Sequence, residues 1–166
     1  DISAKRLNRV QDNLTRTGLR AELVAADARQ WRPEVLADAV LLDAPCSSTG
    51  TLRRHPDIQH LKSTADIAKL AQVQDGLLDA AVQMLRPGGL LVFATCSLQP
   101  EEGPERIDAF LRRHPDFARV PIQPAEISGL QEAVTPAGDL RTLPSQLADQ
   151  GGLDGFFAAR LIKNAA

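Results

Sequence analysis

A chain of 166 residues, 43% apolar and 24% charged, has enough material for one globular domain with a real core. Its formal net charge of −2 excludes a broad electrostatic footprint for nucleic acid, so any basic binding surface must be local. No apolar run approaches the roughly 20 residues of a membrane span, no signal peptide is visible, and the two cysteines make no disulfide framework; a cytoplasmic, reducing setting is expected.

The chain opens on Asp1-Ile2-Ser3 with no initiator Met, which reads as the end of a strand entering a helix. The segment is therefore expected to be part of a longer protein. Ser3 is a good N-cap, Leu7, Val10 and Leu14 recur at helical spacing, and Gly18 suits the position just past the helix end. Residues 21–26 are a short apolar run and predict a strand. Residues 33–36 predict one helical turn. Residues 39–42 are continuously apolar, as a buried strand of a parallel sheet requires. A polar loop over 43–60 follows, containing Arg53-Arg54-His55-Pro56-Asp57.

The longest helix is predicted over 66–85, with Gly76 inside it at a cost of about 1 kcal/mol relative to Ala. Pro87-Gly88-Gly89 reads as a stop and turn. Residues 90–95 predict a second buried strand ending at Cys96. Pro100-Glu101-Glu102 leads into a helix reaching residue 113, with its acids placed for the helix dipole and Arg112-Arg113 serving the other end. Residues 117–121, 140–143 and 155–163 predict three more strands. No internal repeat or second-domain boundary is visible.

Strands alternating with helices in the first two-thirds of the chain imply a parallel α/β sheet, in which ligands bind beyond the carboxyl ends of strands. Asp27, the stretch Asp43-Ala44-Pro45-Cys46 and Cys96 each follow such an end and so share one edge of the sheet. A lone cysteine is most often a small buried hydrophobe. Here both thiols end strands, both precede serine and other small residues, and one has a carboxylate three residues before it. Zinc and Cys-x-x-Cys redox chemistry fit the wide spacing badly, and no metal site is expected. Hydrolysis of the papain type needs a histidine base, whereas His55, His60 and His114 sit in His-Pro or loop contexts and read as surface residues. A locally activated nucleophilic thiol remains. Spacing alone does not order the two cysteines.

Asp43-Ala44-Pro45-Cys46-Ser47, Arg54-His55-Pro56-Asp57, and Ala94-Thr95-Cys96-Ser97 followed by Pro100-Glu101-Glu102 resemble the RNA cytosine-5 methyltransferases of the NOL1/NOP2/Sun group. The likeness covers nearly the whole chain and includes Arg6-Leu7 and the closing Asp154-Gly155-Phe156-Phe157. It implies a Rossmann-like class I fold that uses S-adenosylmethionine, with the chain as the C-terminal part of one catalytic domain. It implies a monomer acting on RNA, in the branch that modifies small-subunit (16S) ribosomal RNA. By resemblance, Cys96 attacks carbon 6 of cytosine, Cys46 assists release, and Asp43 hydrogen-bonds the ring. Pro45 shapes the wall against the base. Apart from the resemblance, Arg54, with Arg53 and Arg29, reads equally as a contact to RNA phosphates near the site or as solvated surface arginine. Asp1 and Asp27, with Asp43, face the cofactor, Asp1 toward its ribose and Asp27 toward its adenine.

The family's glycine-rich cofactor loop and its strand have no counterpart here, and Gly88-Gly89 does not substitute. The 166 residues alone are therefore expected to bind the cofactor poorly. Two other classes fit less well. An amino-group methyltransferase would carry an aromatic where Cys46 stands, and a silent RNA-binding scaffold has no need of two strand-end thiols.

Overall fold

The computed structural model describes residues 1–165, whose regular elements are α1 (Ala4–Thr17), β1 (Ala37–Asp43), α2 (Ile58–Leu61), α3 (Thr64–Met84), β2 (Leu85–Thr95), α4 (Pro104–Arg113), β3 (Phe117–Arg119), β4 (Leu140–Thr142) and β5 (Phe156–Lys163). Local chemistry fixes the helix ends. The Ser3 hydroxyl accepts the Arg6 N–H at 3.3 Å, and Gly18 closes α1 in the left-handed region at φ 68°. At the start of α3 the Ser63 hydroxyl accepts the Asp66 N–H at 3.3 Å while Asp66 accepts the Ser63 N–H at 3.0 Å. That reciprocal cap starts the helix two residues before the predicted position.

The sheet has the order β1-β2-β5-β3, with β4 sharing the outer edge of β5 with β3. Among the described strands β1 and β2 run parallel, as the first two-thirds of the chain led one to expect; β5 is antiparallel to β2, β3 and β4, so the sheet as a whole is mixed. Leu91 and Phe93 of β2 and Phe157, Ala159 and Leu161 of β5 alternate onto one face. There they pack with Leu78 and Ala81 of α3 and Ile107 and Phe110 of α4. Phe93 and Phe157 meet edge to face at 6.4 Å. Truncating either ring to Ala would cost about 3–5 kcal/mol. The result is a Rossmann-like α/β fold whose core lies between β2, β5 and the α3–α4 pair.

Several expectations are corrected. Residues 21–26 form no strand: their tie to Asp1 is the Asp1 amino group on the Val24 carbonyl and the Ala26 N–H on the Asp1 carbonyl, at 3.2 and 3.0 Å. A strand exists only when a neighbour completes its ladder, and two bonds do not. Between these residues and β1 lies an apolar cavity of about 340 Å³, lined by Leu7, Val24, Trp31, Leu41 and Met84 among others. Consequently β1 is an edge strand rather than a buried one, and Leu41 is 74% exposed. Residues 33–36 make no helical turn. Pro87-Gly88-Gly89 does not end the element; it is a bulge inside β2, where the pairing passes from Ala37↔Leu85 to Ala39↔Leu90 and Gly88 adopts φ 75°. At the end of α4, Arg113 pairs with Asp75 and Asp79 at 3.1 Å rather than serving solvent. His114 is half-buried against Phe110, its Nε2 2.9 Å from Asp79. No helix of the described residues is long and apolar enough to cross a membrane.

Candidate active site

The parallel register of β1 and β2 sets Asp43 beside Ala94, and the Ala44 N–H bonds the Ala94 carbonyl at 2.9 Å. Two loops therefore leave the sheet side by side, one carrying Cys46 and the other Cys96. Backbone contacts hold them together. The Gly50 N–H donates to the Cys96 carbonyl at 2.9 Å, and the Gly155 N–H donates to the Gly50 carbonyl at 2.8 Å. A Cβ on Gly50 would lie 1.8 Å from the Gly155 oxygen, so only glycine allows three segments to meet here. Ser48 is bent into the left-handed region at φ 61°, with its carbonyl held by the Thr51 N–H and hydroxyl, both at 2.9 Å. That bend turns its hydroxyl toward Cys96, at 3.5 Å.

The result is two half-buried free thiols with Sγ atoms 3.5 Å apart. They do not share protons equally. Cys96 is lowered to about 6, first because the Cys46 S–H donates to its thiolate, and also because the Ser48 hydroxyl donates; partial burial and the Asp43 charge oppose this. Cys46 is driven up, first by donating to Cys96, then by burial, with the negative charge of Glu102 adding to both. The site thus pairs one thiolate with one retained thiol.

Around the pair, Asp43 stands exposed at the end of β1. Pro45 is exposed beside it, and its carbonyl accepts the Gln74 side-chain amide at 2.9 Å. Asp1, Asp27, Asp43 and Pro45 line one cleft of about 310 Å³, with Leu42 and Leu77 among its apolar walls. Asp1 Oδ1 accepts the Ser3 N–H at 2.7 Å and Arg6 at 2.9 Å. Both oxygens of Asp27 accept from the Arg29 fork, at 2.7–3.2 Å, which holds its carboxyl below the usual range. Carboxylate acceptors beside apolar walls suit a nucleoside with ribose hydroxyls and an exocyclic amine. No glycine lines the cleft. Arg54 is exposed and forks onto Asp154, its Nε 2.8 Å from Oδ2, with Arg53 at 3.6 Å from the same carboxylate. Arg54 also feels the charge of Cys96. Arg29 and Arg54 thus already have carboxylate partners. Among the described residues no group of three or more His, Cys, Asp or Glu side chains is arranged to hold a metal ion.

Sequence reasoning missed one residue. Glu102, read as a dipole partner at a helix start, is fully buried beneath both cysteine loops, where it binds Ser47 and Ser97. The signal was the Cys-Ser dipeptide repeated at 46–47 and 96–97, with an acid following the second.

A parallel β1–β2 pair with Asp43 at the carboxyl end of β1, extended by an antiparallel last strand, is the frame of the S-adenosylmethionine-dependent methyltransferase fold. Within that class the chain belongs to the family described as 16S rRNA methyltransferase RsmB/F, which it matches over residues 1–162. It is 48% identical over 168 aligned positions to "Ribosomal RNA small subunit methyltransferase B" of Salmonella newport (strain SL254), covering 98% of this chain and 35% of that protein. The chain thus spans about a third of the length of the curated relatives it matches. Among solved structures it resembles PH0851, with TM-score 0.83 at 34% identity over 97% of this chain and 35% of the other. It also resembles NSun6 from Pyrococcus horikoshii with SFG, with TM-score 0.78 at 28% identity over 100% of this chain and 41% of the other.

Proposed function

We propose that this chain is the C-terminal part of a catalytic domain that methylates carbon 5 of a cytosine in 16S ribosomal RNA through a covalent cysteine–base adduct. The observation that carries the reading is the Cys46–Cys96 pair, 3.5 Å apart and unequal in proton affinity, beside a cleft lined by Asp1, Asp27 and Asp43.

Carbon 5 of cytosine is a poor nucleophile. The Cys96 thiolate adds to carbon 6, nitrogen 3 takes up a proton from solvent, and carbon 5 becomes electron-rich. Asp1 and Asp27 would hold S-adenosylmethionine, which would supply the methyl group from its sulfonium and leave as the thioether. Asp43 is an acceptor for the amino group and protonated nitrogen 3 of the base, and Pro45 forms the wall beside it. Carbon 5 then gives its proton to a solvent water, the Cys96–carbon 6 bond breaks with its electrons returning to sulfur, and nitrogen 3 gives back to solvent the proton it took up. A base in paired RNA must first leave its stack, and Arg54, which is paired with Asp154, would exchange that partner to meet an RNA phosphate.

The two thiols divide the work for a physical reason. The Cys46 S–H donates to a negatively charged sulfur. Once Cys96 is a thioether in the adduct, that acceptor is lost. When Cys96 leaves, the Cys46 S–H again meets a developing thiolate and stabilises it. Cys46 therefore lowers the barrier to release more than the barrier to attack.

The test uses the full-length protein and RNA containing 5-fluorocytosine, which cannot lose its carbon 5 substituent as a proton. The expected result is a denaturant-stable adduct that Cys96→Ala abolishes, while on ordinary RNA Cys46→Ala accumulates adduct. Adduct with Cys96→Ala but none with Cys46→Ala overturns the assignment of roles. Methyl transfer with no adduct at all points to amino-group methylation and overturns the whole reading.

A further inference from the structure

Glu102 lies on the single 3-10 turn Pro100–Glu102 between β2 and α4, with no exposed surface. Its carboxylate is surrounded by donors. Oε1 accepts the Ser47 N–H at 2.9 Å and the Gln74 side-chain amide at 3.2 Å. Oε2 accepts the Ser97 hydroxyl at 2.6 Å and the Ser47 hydroxyl. Ser47 follows Cys46 and Ser97 follows Cys96, so one side chain grips the residue next to each thiol. The network extends from there. The Ser97 hydroxyl accepts the Gln99 N–H at 3.0 Å, and Thr49 Oγ1, 3.2 Å from that hydroxyl, accepts the Leu98 N–H at 3.0 Å.

A neutral side chain would suffice to close two loops. Ser47 and Ser97 are themselves 3.2 Å apart and able to bond each other. A buried carboxylate is a costly alternative that is tolerated only when donors surround it. Gln74 shows the demand: its amide serves Pro45 and Glu102, and its buried Oε1 is left without a partner. Turning the amide over would set that oxygen against the carboxylate.

We infer that Glu102 is the positioning residue of the thiol pair, latching the two cysteine loops so that the Cys46 S–H points at the Cys96 sulfur. The inference rests on the adduct reading for its purpose, though not for its test. The buried charge acts in the same sense, because it adds to the forces that keep the proton on Cys46. The other charges around Cys96 come from different elements and oppose one another. Asp43 ends β1, Arg54 follows the 49–51 turn, and Arg141 of β4 donates to the Ser97 carbonyl at 2.6 Å.

The experiment is pH-dependent alkylation of the full-length protein by iodoacetamide, with Cys46 and Cys96 peptides quantified separately by mass spectrometry. Wild type, Glu102→Gln and Ser97→Ala are compared. Midpoints are read rather than rates, because a thiolate of higher pKa is also a better nucleophile. In wild type, Cys96 should react with a midpoint near pH 6 and Cys46 far above it. In both variants the Cys96 midpoint should rise by about one unit or more, toward the ordinary thiol value of about 8.5, and the gap between the thiols should narrow. A purely structural role predicts a lower urea midpoint with the Cys96 profile unmoved, and that result in a folded variant overturns the inference. Should Glu102→Gln fail to fold, Ser97→Ala decides alone, since it removes one tether and no charge. The titration needs neither RNA nor cofactor. Absence of a 5-fluorocytosine adduct in wild type would therefore sink the adduct reading while leaving the latch intact.

Discussion

Gly50→Ala is the sharpest test of the site's backbone. The new Cβ would sit 1.8 Å from the Gly155 oxygen and 2.9 Å from the Cys96 oxygen, where ordinary contact begins at 3.4 Å. Backbone atoms cannot rotate aside as side chains do, so the Gly155 segment must retreat by about 1.6 Å and the Cys96 segment by about 0.5 Å. Two hydrogen bonds go with them, Gly50 to the Cys96 carbonyl and Gly155 to the Gly50 carbonyl. At about 1 kcal/mol each, and more where a buried group stays unpaired, the loss is about 2–4 kcal/mol. That is a large part of the 5–15 kcal/mol by which domains are stable, yet not all of it. The chemistry should suffer too, because a displacement of about 1 Å at a reacting atom costs on the order of 10²-fold in rate, and the half-ångström shift forced on Cys96 about 10-fold. The measurements are a urea melt and the single-turnover rate of adduct formation with 5-fluorocytosine RNA, at a temperature where the variant is folded. A variant with wild-type adduct rate would refute the claim that this three-segment contact aims Cys96.

The pH profile of adduct formation should rise through about 6 and be level by about pH 7.5, because a lowered value means that Cys96 is deprotonated above it. A rise centred near the ordinary thiol value of about 8.5 would show that Cys46 and Ser48 do not stabilise the thiolate. By the same sign, the stabilisation from this pairing is complete above the unfolded thiol's value and is lost as pH falls through about 6. Hydrogen peroxide should join the two cysteines: the Cys96 thiolate displaces hydroxide to become a sulfenic acid, and the Cys46 thiol condenses with it, releasing water. Loss of two hydrogens by mass, with activity restored by a thiol reductant, is the expected outcome; overoxidation of Cys96 without a crosslink would contradict the 3.5 Å contact. Gly76→Ala should stabilise by about 1 kcal/mol in thermal unfolding, since its Cβ would meet only Arg29 Cδ at 3.5 Å. No gain would mean that Gly76 serves something other than the helix.

What the sequence revealed of the fold is what short stretches decide for themselves. Ser3 and Gly18 bracket α1 because capping involves only neighbouring residues. The early start of α3 was legible too, in Ser63 three residues before Asp66, and was passed over for the apolar pattern that begins later. Residues 21–26 failed for the opposite reason. Their apolar run states a preference for a strand, but a ladder needs at least one partner strand, and here a cavity separates them from β1. The bulge at Pro87-Gly88-Gly89 was misread because the same residues serve a turn and a kinked strand, and only the register with β1 separates them. The mixed sheet was hidden for a related reason: nothing in Phe156–Lys163 says which way it runs beside β2.

The site was legible to the extent that it follows from topology. Asp43, Cys46 and Cys96 each follow the end of a strand, and parallel neighbours must deliver such residues to the same edge. Their chemistry was less legible, because a thiol's proton affinity is set by what approaches it. Ser48 lowers Cys96 only because a left-handed bend aims its hydroxyl, and Cys46 keeps its proton only because Cys96 lies 3.5 Å away. Glu102 was the hardest to see. Its place in Pro-Glu-Glu fits a helix start, and charge at a helix start is ordinarily exposed. It is buried because the donors of Ser47 and Ser97 converge from two loops separated by fifty residues in sequence. The convergence requires β1 and β2 to be parallel and in register, so the same pairing that gathers the thiols also gathers the donors. A slip of one residue between β1 and β2 would therefore undo the latch and the thiol contact together. That common dependence explains how a costly buried carboxylate comes to sit beneath the pair: where the two strands pair in register, the donors that satisfy Glu102 and the thiols arrive together.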